Sequence, residues 1–374
     1  MLTNKTILII SPESWGEIFI SKHHYAVELV KRRNKVYFLN PPSFKYTNKF
    51  VIEATDLDEN LLIINNSVLI RGLNFFPYLF RKLFQKYLAK KLLDEIESKI
   101  DIVWSFDPFR FQYMHAFQPK FCIYHAVDIH NCDVERDIAC CADLILGSSE
   151  KILERFNDVN VPKFKINHGL SENFIMNNVT SKRQFIRKPE RVNVGYVGNL
   201  HYQYLDVPVL EKIILDNPNV DFYFIGPYEE SNVSSKALNE MFVLFLESSK
   251  NAFLMGVMSS QDLAKCISQF DLFLMCYTGD KNVAEMANPH KILEFFSTGK
   301  VVVSHYIDEY KEKKDLLVMA DDNDLLPFMF RNTIENLEKF NTEEMSHMRM
   351  SYAFENTYSN HIKRIDDLII NIVD

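Results

Sequence analysis

The sequence predicts an α/β fold made of two domains, each built on a doubly wound parallel sheet. Short apolar runs alternate with longer stretches of helical periodicity, the pattern of repeated strand–helix–strand units. This alternation starts twice, and residues 177–190, which carry cationic residues but no apolar periodicity, separate the two series. A chain of 374 residues is long enough for two hydrophobic cores.

The first series occupies residues 1–180. Its first strand is predicted at 6–11, where the apolar run is too short for the apolar region of a secretory signal. Later strands are predicted at short apolar runs, and helices where apolar residues recur at three- and four-residue spacing. The predicted strands are 6–11, 35–40, 102–106, 121–124, 143–148 and 164–167, and the predicted helices are 23–33, 79–96, 134–141 and 150–156.

The second series occupies residues 190–345. Asp206 and Pro208 indicate the start of its first helix, because aspartate caps free amides and proline fits the first turn. The predicted strands are 193–197, 221–225, 251–255, 272–276, 301–304 and 316–319, and the predicted helices are 207–215, 260–268, 289–298 and 323–337. Two Rossmann-like domains of this kind bind a ligand in the cleft between them, at the carboxyl ends of both sheets.

Composition narrows the function. A net charge of −8 argues against a general nucleic-acid-binding protein, because phosphate binding needs a basic surface. The six cysteines form no CxxC pair, which favours free thiols in a reducing cytoplasm. His125, His130 and Cys132 match no standard metal-site spacing, so no metal ion is expected. The sequence has no G-x-G-x-x-G motif, no Walker A motif and no apolar run long enough to span a bilayer.

The most informative segment is 288–304, which reads NPHKILEFFSTGKVVVS. Asn288 is predicted to cap a helix that starts at Pro289, a glycine ends this helix, and three valines form a strand buried on both faces. Glu294 follows Lys291 by three residues and therefore lies on the same side of the helix. A helix N-terminus attracts phosphate, and a carboxylate accepts hydrogen bonds from a ribose diol. The segment predicts a nucleotide-binding unit, with an ordinary buried helix–strand unit as the alternative.

The same segment resembles the carboxy-terminal signature of GT-B glycosyltransferases, in particular of the GT4-like group. In that group a Pro-x-Lys-x-x-Glu run precedes Gly-x-Pro/Val-Val-Val and holds the nucleotide sugar. The matching residues here are Pro289, Lys291, Glu294, Gly299, Val301, Val302 and Val303. An ordinary helix–strand unit would explain the glycine and the valines, but it does not require Pro, Lys and Glu at these offsets.

The resemblance implies a GT-B fold, in which two Rossmann-like, doubly wound parallel-sheet domains face each other across a cleft. It implies an acceptor domain over 1–180, a nucleotide-sugar-binding domain over 190–345, and a last helix over 355–374 that packs back on the first domain. The implied activity is that of a hexosyltransferase in surface polysaccharide synthesis. It would move a sugar from a nucleotide diphosphate sugar, with UDP or GDP expected, to a glycan or lipid-linked acceptor.

The resemblance also implies which residues bind and stabilise the donor. No cofactor beyond this donor substrate is implied, and Lys291 with the helix N-terminus would stabilise the departing diphosphate in place of a metal ion. The implied donor-binding residues are Gly198, Asn199, Gly226, Gly256, Val257, Asn288, Pro289, His290, Lys291 and Glu294. At the strand ends, an ordinary strand followed by a turn is the alternative to a donor-binding loop. The contacts expected there are made by the backbone, so the residue types do not indicate which nucleotide base is bound.

Retaining members of the group usually carry a second acid eight residues before the ribose-binding glutamate. Met286 occupies that position here, so either the adjacent Glu285 serves after a loop shift or the role is absent. In the first domain His125 and Asp128 follow a predicted strand. The histidine could bond a sugar hydroxyl and the aspartate could act as base towards an acceptor, whereas a satisfied loop histidine and a helix cap are the alternatives.

Two further segments of the first domain are candidates for partner contacts. Residues 14–17, together with His23 and His24, follow the first strand, where acceptors approach. In 75–96, aromatic residues and leucines precede basic residues on a predicted helix, which suits docking on anionic lipid at the inner face of a membrane. A solvated basic face over an ordinary core stripe explains 75–96 equally well. The sequence therefore predicts a cytoplasmic protein and leaves peripheral membrane contact open.

Two other functions fit the same fold. A sugar-nucleotide 2-epimerase would turn over the donor without any acceptor. A catalytically silent binding subunit would hold the donor and support an active partner. Met286 motivates the silent subunit, whereas intact Lys291 and Glu294 argue against loss of the donor site.

Overall fold

The fold is given by a computed structural model that describes residues 1–16, 19–43, 50–67, 73–96, 98–128, 130, 134–175, 190–228, 239–278 and 288–373. The chain divides into two compact units, unit 1 (Met1–Asn167 and Tyr358–Asp374) and unit 2 (His168–Thr357). Unit 1 ends before the segment predicted as a linker, because Leu170 and Phe174 pack in the core of unit 2.

The described residues form short strands that alternate with helices along the whole chain. The strands are β1 Thr6–Ile10, β2 Lys35–Leu39, β3 Val51–Ala54, β4 Leu61–Asn65, β5 Ile102–Ser105, β6 Phe121–Ala126, β7 Leu144–Gly147, β8 Lys163–Lys165, β9 Val192–Val197, β10 Val220–Ile225, β11 Ala252–Gly256, β12 Leu272–Met275, β13 Val301–Ser304 and β14 Val318–Met319. The helices are α1 Ser21–Lys31, α2 Tyr78–Glu95, α3 Val134–Cys141, α4 Glu150–Glu154, α5 Val207–Asp216, α6 Glu240–Ser248, α7 Ser260–Ile267, α8 Lys291–Phe296, α9 Leu326–Glu335, α10 Leu337–Phe340, α11 Glu343–Glu355 and α12 Tyr358–Val373.

Unit 1 contains one sheet with the strand order β3-β4-β2-β1-β5-β6-β7-β8. Its neighbouring strands are parallel, except that β3 runs antiparallel to β4. Ile7 and Ile9 of β1 pack in one layer with α1 and α12, whereas Leu8 and Ile10 pack in the other layer with α2. Burial of both faces is typical of a parallel sheet and confirms the predicted fold class for this unit.

Helix α12, at the C-terminus, belongs to unit 1. It lies against α1, where the Tyr25 hydroxyl is 3.2 Å from Nδ1 of His361. Ile362, Ile365 and Ile369 recur at helical spacing and are fully buried in the same layer as β1 and α1. This apolar stripe is what attaches the end of the chain to the first unit.

Unit 2 contains a six-stranded sheet with the order β11-β10-β9-β12-β13-β14, and all of its strand pairs are parallel. Val301 and Val303 pack in one layer of the core, whereas Val302 packs in the other. The valine run is therefore buried on both faces, as the sequence predicted. The two parallel sheets together confirm the predicted pair of doubly wound domains.

Several elements were not predicted. Strands β3 and β4 and helices α6 and α11 are present in segments for which the sequence analysis predicted neither strand nor helix. Strand β3 is half-exposed and antiparallel, so it lacks the apolar run of a central strand. In α6 the exposed Met241 and Leu244 spread apolar residues around the helix and obscure its buried stripe.

Candidate functional site

The strand order of unit 2 determines where a ligand is expected to bind. The order of successive strands reverses between β9 and β12, which are neighbours in the sheet. In open parallel sheets, ligands bind outside the carboxyl ends of the strands at such a switch point. Helix α8 follows β12 in the chain and precedes β13, so Lys291 and Glu294 belong to the crossover that leaves this point.

The three predicted donor-site glycines meet at the carboxyl ends of β9, β10 and β11. The amide of Gly198 donates to the Ile225 carbonyl at 2.9 Å, and the amide of Gly226 donates to the Gly256 carbonyl at 2.9 Å. A Cβ atom on Gly226 would lie 2.0 Å from the carbonyl oxygen of Gly198, and its φ is +141°. Gly226 is therefore required by the neighbouring backbone, and no ligand is needed to explain it.

The loop after β9 is held against the loop after β10. Nε2 of His201 lies 2.9 Å from the Tyr228 carbonyl oxygen, and the Leu200 amide donates to the Pro227 carbonyl at 3.1 Å. Oδ1 of Asn199 accepts from the His201 amide at 2.9 Å and so closes a turn of the Asx type. Asn199 is exposed at the predicted position, and its side chain has a turn-forming role there. His201 was not among the residues that the sequence analysis selected.

Asp206 connects the two sides of the switch point. Its Oδ1 accepts from the Val209 amide at 3.4 Å, so it caps α5 as the sequence predicted. Its Oδ2 accepts from Nδ2 of Asn323 at 2.6 Å, and the same amide group donates to the Tyr277 carbonyl at 2.8 Å. These bonds fix the loops after β9 and β12, which border the switch point.

Helix α8 starts later than predicted. The sequence placed its first residue at Pro289 with Asn288 as cap, whereas the helix runs from Lys291, with His290 at the capping position. Asn288 is buried and Pro289 accepts from the Ile292 amide at 3.3 Å, so the chain turns once before the regular helix begins. The helix has only six residues, so its N-terminus contributes less to anion binding than a long helix would.

The other predicted residues of this unit lie at the same edge of the sheet or close to α8. Gly299 has the positive φ that was predicted, +75°, but α8 ends at Phe296, so the glycine lies three residues beyond the end of the helix. His290 is exposed and its ring lies 6.1 Å from the ring of His168. Val257 follows β11 and is 67% exposed, so its side chain makes no core contact that would explain it.

Lys291 and Glu294 form an ion pair. Nζ of Lys291 lies 3.1 Å from Oε1 and 3.0 Å from Oε2 of Glu294, so both carboxylate oxygens accept from one ammonium group. The Lys291 side chain is 27% exposed and the Glu294 side chain 14% exposed. Burial raises the pKa of the Glu294 carboxyl, although the neighbouring Lys291 opposes the shift. The pair is therefore a partly desolvated charge centre that solvent, and hence a polar ligand, can still reach.

His125 is placed differently from the expectation. It lies inside β6 instead of in a loop after the strand, and it is 1% exposed. Its ring stacks on Phe106 at 4.9 Å and on Trp104 at 6.0 Å, and Tyr25 lies at 5.3 Å. This aromatic surrounding favours the interpretation of a core histidine over that of a sugar ligand.

The structure describes Asp128 but not Glu285. Asp128 is exposed two residues after β6, at the carboxyl edge of the unit 1 sheet. Helix α3 begins only at Val134, so Asp128 does not cap it. The catalytic role of Asp128 stays a prediction. Glu285 and Met286 lie outside the residues that the structure describes.

The switch point of unit 1 lies between β1 and β5, and an arginine fills it. Nε of Arg110 lies 2.5 Å from Oδ2 of Asp107, and its two NH groups donate to the carbonyl oxygens of Asn40 and Ser11. Asp107 is buried and Arg110 is mostly buried. The sequence analysis missed this pair, because nothing in the spacing of one arginine identifies the three carbonyl and carboxyl groups around it.

The predicted acceptor contacts after the first strand separate into two groups. His23 is buried, where Nδ1 accepts from the Ile20 amide at 3.2 Å and Nε2 lies 3.1 Å from the Ser14 carbonyl. His24 stacks on Tyr358 at 4.7 Å. Both histidines therefore support the fold of unit 1. Trp15, in contrast, lines a cavity in this unit.

Within the described ranges, no three His, Cys, Asp or Glu side chains come together as ligands for a metal ion. The absence of a metal requirement stays a prediction. Among the helices that the structure describes, none combines the length and the apolar character that crossing a bilayer requires.

A second histidine that the sequence analysis missed lies at the end of β13. His305 is 1% exposed, its Nδ1 lies 3.5 Å from the Met275 carbonyl, and its ring meets Tyr277 edge to face at 5.1 Å. Burial lowers its pKa to about 4, so the imidazole is neutral at physiological pH. It follows the last motif valine by two residues and directly follows β13, and this position at the carboxyl end of a strand is the signal that could have identified it.

Comparison with solved structures finds glycosyltransferases of two parallel-sheet domains. The structure of Anabaena HepE in complex with UDP and glucose matches with a TM-score of 0.68, at 14% sequence identity, over 98% of this chain and 99% of that chain. A trehalose-6-phosphate synthase from Burkholderia multivorans matches with a TM-score of 0.69, at 12% identity, over 99% and 96% of the two chains.

A sucrose-phosphate synthase from Thermosynechococcus elongatus also matches with a TM-score of 0.69, at 10% identity, over 99% of both chains. No protein-family model and no curated protein sequence matches the chain. Because the identities are low, the likeness concerns the fold, and it extends over nearly the whole chain. The chain therefore has the GT-B fold, the fold of the glycosyltransferases that it resembles.

Proposed function

We propose that the protein is a GT4-like glycosyltransferase that moves a sugar from a nucleotide diphosphate sugar to a glycan or lipid-linked acceptor in surface polysaccharide synthesis. The observation that carries the proposal is the ion pair of Lys291 and Glu294, which belongs to the crossover leaving the switch point of a GT-B sheet. The same two residues are the Lys and Glu of the motif. HepE, which shares the fold, has been crystallised with UDP-glucose, so UDP is the first nucleotide to test.

In the proposed chemistry Glu294 accepts hydrogen bonds from the ribose diol and Lys291 faces the diphosphate. Each carboxylate oxygen can accept two hydrogen bonds, so Glu294 can bind a diol without losing Lys291. The acceptor oxygen forms a bond to the anomeric carbon, the bond between that carbon and the diphosphate oxygen breaks, and the diphosphate leaves with the electron pair. The ammonium of Lys291 stabilises the charge that grows there, and no metal ion is required.

On the acceptor side Asp128 is the group that we propose to take the proton of the attacking hydroxyl. Its support is its exposure at the carboxyl edge of the unit 1 sheet, where GT-B proteins are expected to bind acceptors. Replacing Asp128 by Asn keeps the shape and removes the charge, so transfer should fall while nucleotide affinity and melting temperature stay unchanged. A lowered melting temperature with normal specific activity would instead identify Asp128 as structural. We do not include His125, because it is enclosed by aromatic rings.

A thermal-shift screen across UDP, GDP, CDP and ADP sugars tests the proposal. A ligand that binds only the folded protein stabilises it by about 2.7 kcal/mol at a hundredfold excess over Kd. We expect a UDP or GDP sugar to raise the melting temperature and the Glu294→Ala variant to lose this response. Inorganic diphosphate serves as the control for charge alone. No shift with any sugar nucleotide would contradict the proposal, and turnover of the donor without acceptor would favour the epimerase.

We also propose that the protein works in the cytoplasm and docks on anionic lipid through α2 and the residues before it. The five described cysteines are free thiols, which supports a reducing compartment. In the first half of α2 the usual pattern is inverted, because Arg81 and Gln85 are buried while Leu79 and Leu83 are exposed; in the second half Ala89 and Leu92 pack in the core. Phe75 is 94% exposed, Leu79 73% and Leu83 67%.

The charge of α2 suits docking on anionic lipid. The helix carries five cationic side chains and two acidic ones, in a chain whose net charge is −8. Arg81 is held inside by Asp137 at 2.6 Å, whereas Lys86, Lys90 and Lys91 are exposed. Exposed aromatic and leucine side chains beside lysines suit the headgroup region of an anionic bilayer.

Cosedimentation with phosphatidylcholine vesicles, with and without phosphatidylserine, tests the docking. We expect binding that needs the anionic lipid and weakens with salt, and at least a 10-fold loss in the variant with Phe75, Leu79 and Leu83 replaced by Ser. The matched control replaces Leu215, Met241 and Phe328, which are equally exposed in unit 2. Unchanged binding of the α2 variant, or its conversion from dimer to monomer in light scattering, would contradict the proposal.

A further inference from the structure

A polar cavity of about 490 Å³ lies in unit 1, on the β2–β4 side of the arginine-filled switch point of that sheet. The loops after β1 and β2 and the antiparallel β3–β4 ribbon form its walls. Small-molecule sites typically measure about 300–1,000 Å³, so the cavity is large enough for a ligand. The motif analysis assigned no donor residue to this region.

A chain of hydrogen bonds runs along the wall of the cavity. The Trp15 amide donates to Oδ1 of Asn40 at 2.7 Å, and Nδ2 of Asn40 donates to Oδ1 of Asn65 at 2.7 Å. Nδ2 of Asn65 then donates to Oε2 of Glu53 at 3.1 Å. Both asparagines are buried, whereas Glu53 is exposed. The chain thus fixes the loops and ends on a carboxylate, which presents only hydrogen-bond acceptors to a ligand.

Trp15 supplies an apolar surface to the same cavity. Its indole is held by Phe38 at 5.0 Å, Phe19 at 4.9 Å and His23 at 5.3 Å between ring centroids. These contacts and the backbone bond to Asn40 fix the side chain before any ligand arrives. A fixed aromatic ring next to planar polar groups matches a sugar, which has an apolar C–H face and a rim of hydroxyls.

The charge of the cavity selects among sugars. Glu53 and Asp56 line it, and none of the described lining residues is cationic. Arg110 donates to the carbonyl oxygen of Asn40, but its guanidinium is paired with Asp107. A phosphate group in this cavity would be repelled by the two carboxylates, and no cation among the described lining residues would compensate for this repulsion.

We propose that this cavity binds an uncharged saccharide, with Trp15 against the sugar ring and Glu53 and Asp56 accepting hydrogen bonds from its hydroxyls. The proposal rests on the proposed function in taking this saccharide as the acceptor of the transfer. It separates the chain from a trehalose-6-phosphate synthase or a sucrose-phosphate synthase of the same fold, whose names indicate phosphorylated sugars. The acceptor specificity then resides in the β3–β4 ribbon and the loops that face it.

Tryptophan fluorescence tests the proposal directly, because the chain has only two tryptophans. In the Trp104→Phe variant Trp15 is the single emitter, and it is titrated with glucose, galactose, mannose, N-acetylglucosamine, their common disaccharides and glucose 6-phosphate. We expect a saturable change with at least one neutral sugar and none with glucose 6-phosphate. Calorimetric titration of the parent chain with the same sugars provides the same comparison if the variant does not fold.

Charge variants sharpen the test. Glu53→Ala should raise Kd for the neutral sugar about 10-fold or more, and the double variant Glu53→Gln with Asp56→Asn should begin to bind glucose 6-phosphate. Glu59→Gln, in the turn of the same ribbon but outside the lining, is the matched control. Binding of glucose 6-phosphate by the parent, no response to any neutral sugar, or unchanged binding by Glu53→Ala would overturn the proposal. Nucleotide affinity, measured in parallel, reports separately on the proposed function.

Discussion

The switch points of the two sheets use the same topology in different ways. In unit 1 the guanidinium of Arg110 closes the carboxyl ends of β1, β2 and β5, with Asp107 as its counter-charge. In unit 2 the crossover at the switch point carries the Lys291–Glu294 pair, which is partly exposed. The charges at the switch point of unit 1 are enclosed and paired with each other, whereas those at the switch point of unit 2 remain partly exposed to solvent.

The comparison teaches that strand order predicts a place for a ligand but not whether the place is open. Topology follows from short parallel strands and their crossovers, which a sequence pattern reveals. Whether a side chain fills the crevice depends on contacts between residues far apart in the chain, such as Arg110 with Ser11. The saccharide cavity that we propose for unit 1 lies instead beside β4.

The largest effect on stability is expected when Arg110 is removed from the switch point of unit 1. Arg110→Ala leaves buried Asp107 without its counter-charge, which typically costs about 3–5 kcal/mol of unfolding free energy. Urea denaturation followed by circular dichroism measures this loss, and nucleotide affinity should not change. The matched control is Arg136→Ala, whose pair with Asp158 is exposed on both sides and should contribute at most about 1 kcal/mol. Normal stability with weakened acceptor binding would show that Arg110 contacts a ligand. The contrast between the two switch points would then be wrong.

Lys291→Ala should affect activity instead of stability. Removal of one preorganised donor from a site of developing charge typically lowers kcat by about 10²–10³, equivalent to about 2.7–4 kcal/mol. Steady-state transfer kinetics measure the loss, and Lys300→Ala, a few residues along the same unit, is the control. Because Lys291 opposes the rise in the pKa of Glu294, its removal should also shift that pKa further upward. A normal kcat, or loss of parent activity on adding a chelator, would contradict the metal-free mechanism.

Glu294→Ala should weaken nucleotide binding with little change in melting temperature. Loss of a charged acceptor costs roughly 1.5–3 kcal/mol, which is about 10- to 150-fold in Kd. Protonation removes the same charge, so nucleotide affinity of the parent should fall as pH is lowered. The fall should begin at a higher pH than an ordinary glutamate gives, because burial raises the pKa of Glu294. Calorimetric titration at several pH values measures both effects, and unchanged affinity in the variant would refute the ribose assignment.

The sequence predicted the architecture better than the directions of individual side chains. The valines of β13 and the cap Asp206 were predicted correctly, because both depend on local patterns. Helix α2 was predicted as a helix, but periodicity does not tell that Arg81 and Gln85 take the buried face. His125 and Gly226 show the same limit, since an aromatic core and a neighbouring strand determine their roles.

The smallest predicted effect compares one buried histidine in each unit. Burial lowers the pKa of both His23 and His305 to about 4, so the unfolded chain binds protons between pH 6.5 and 4 that the folded chain does not. Stability therefore falls as pH decreases through this window, by about 1 kcal/mol per histidine at pH 5.5. His305→Asn should remove this part of the slope in unit 2 and His23→Asn that in unit 1, measured by urea denaturation at pH 7 and 5.5. The control is His347→Asn, which replaces an exposed histidine and is measured in the same way. If the slope is unchanged in one buried variant, that histidine does not contribute to the loss of stability in acid, and the carboxylates of its unit account for that loss. The two units would then differ in pH response as they do at their switch points.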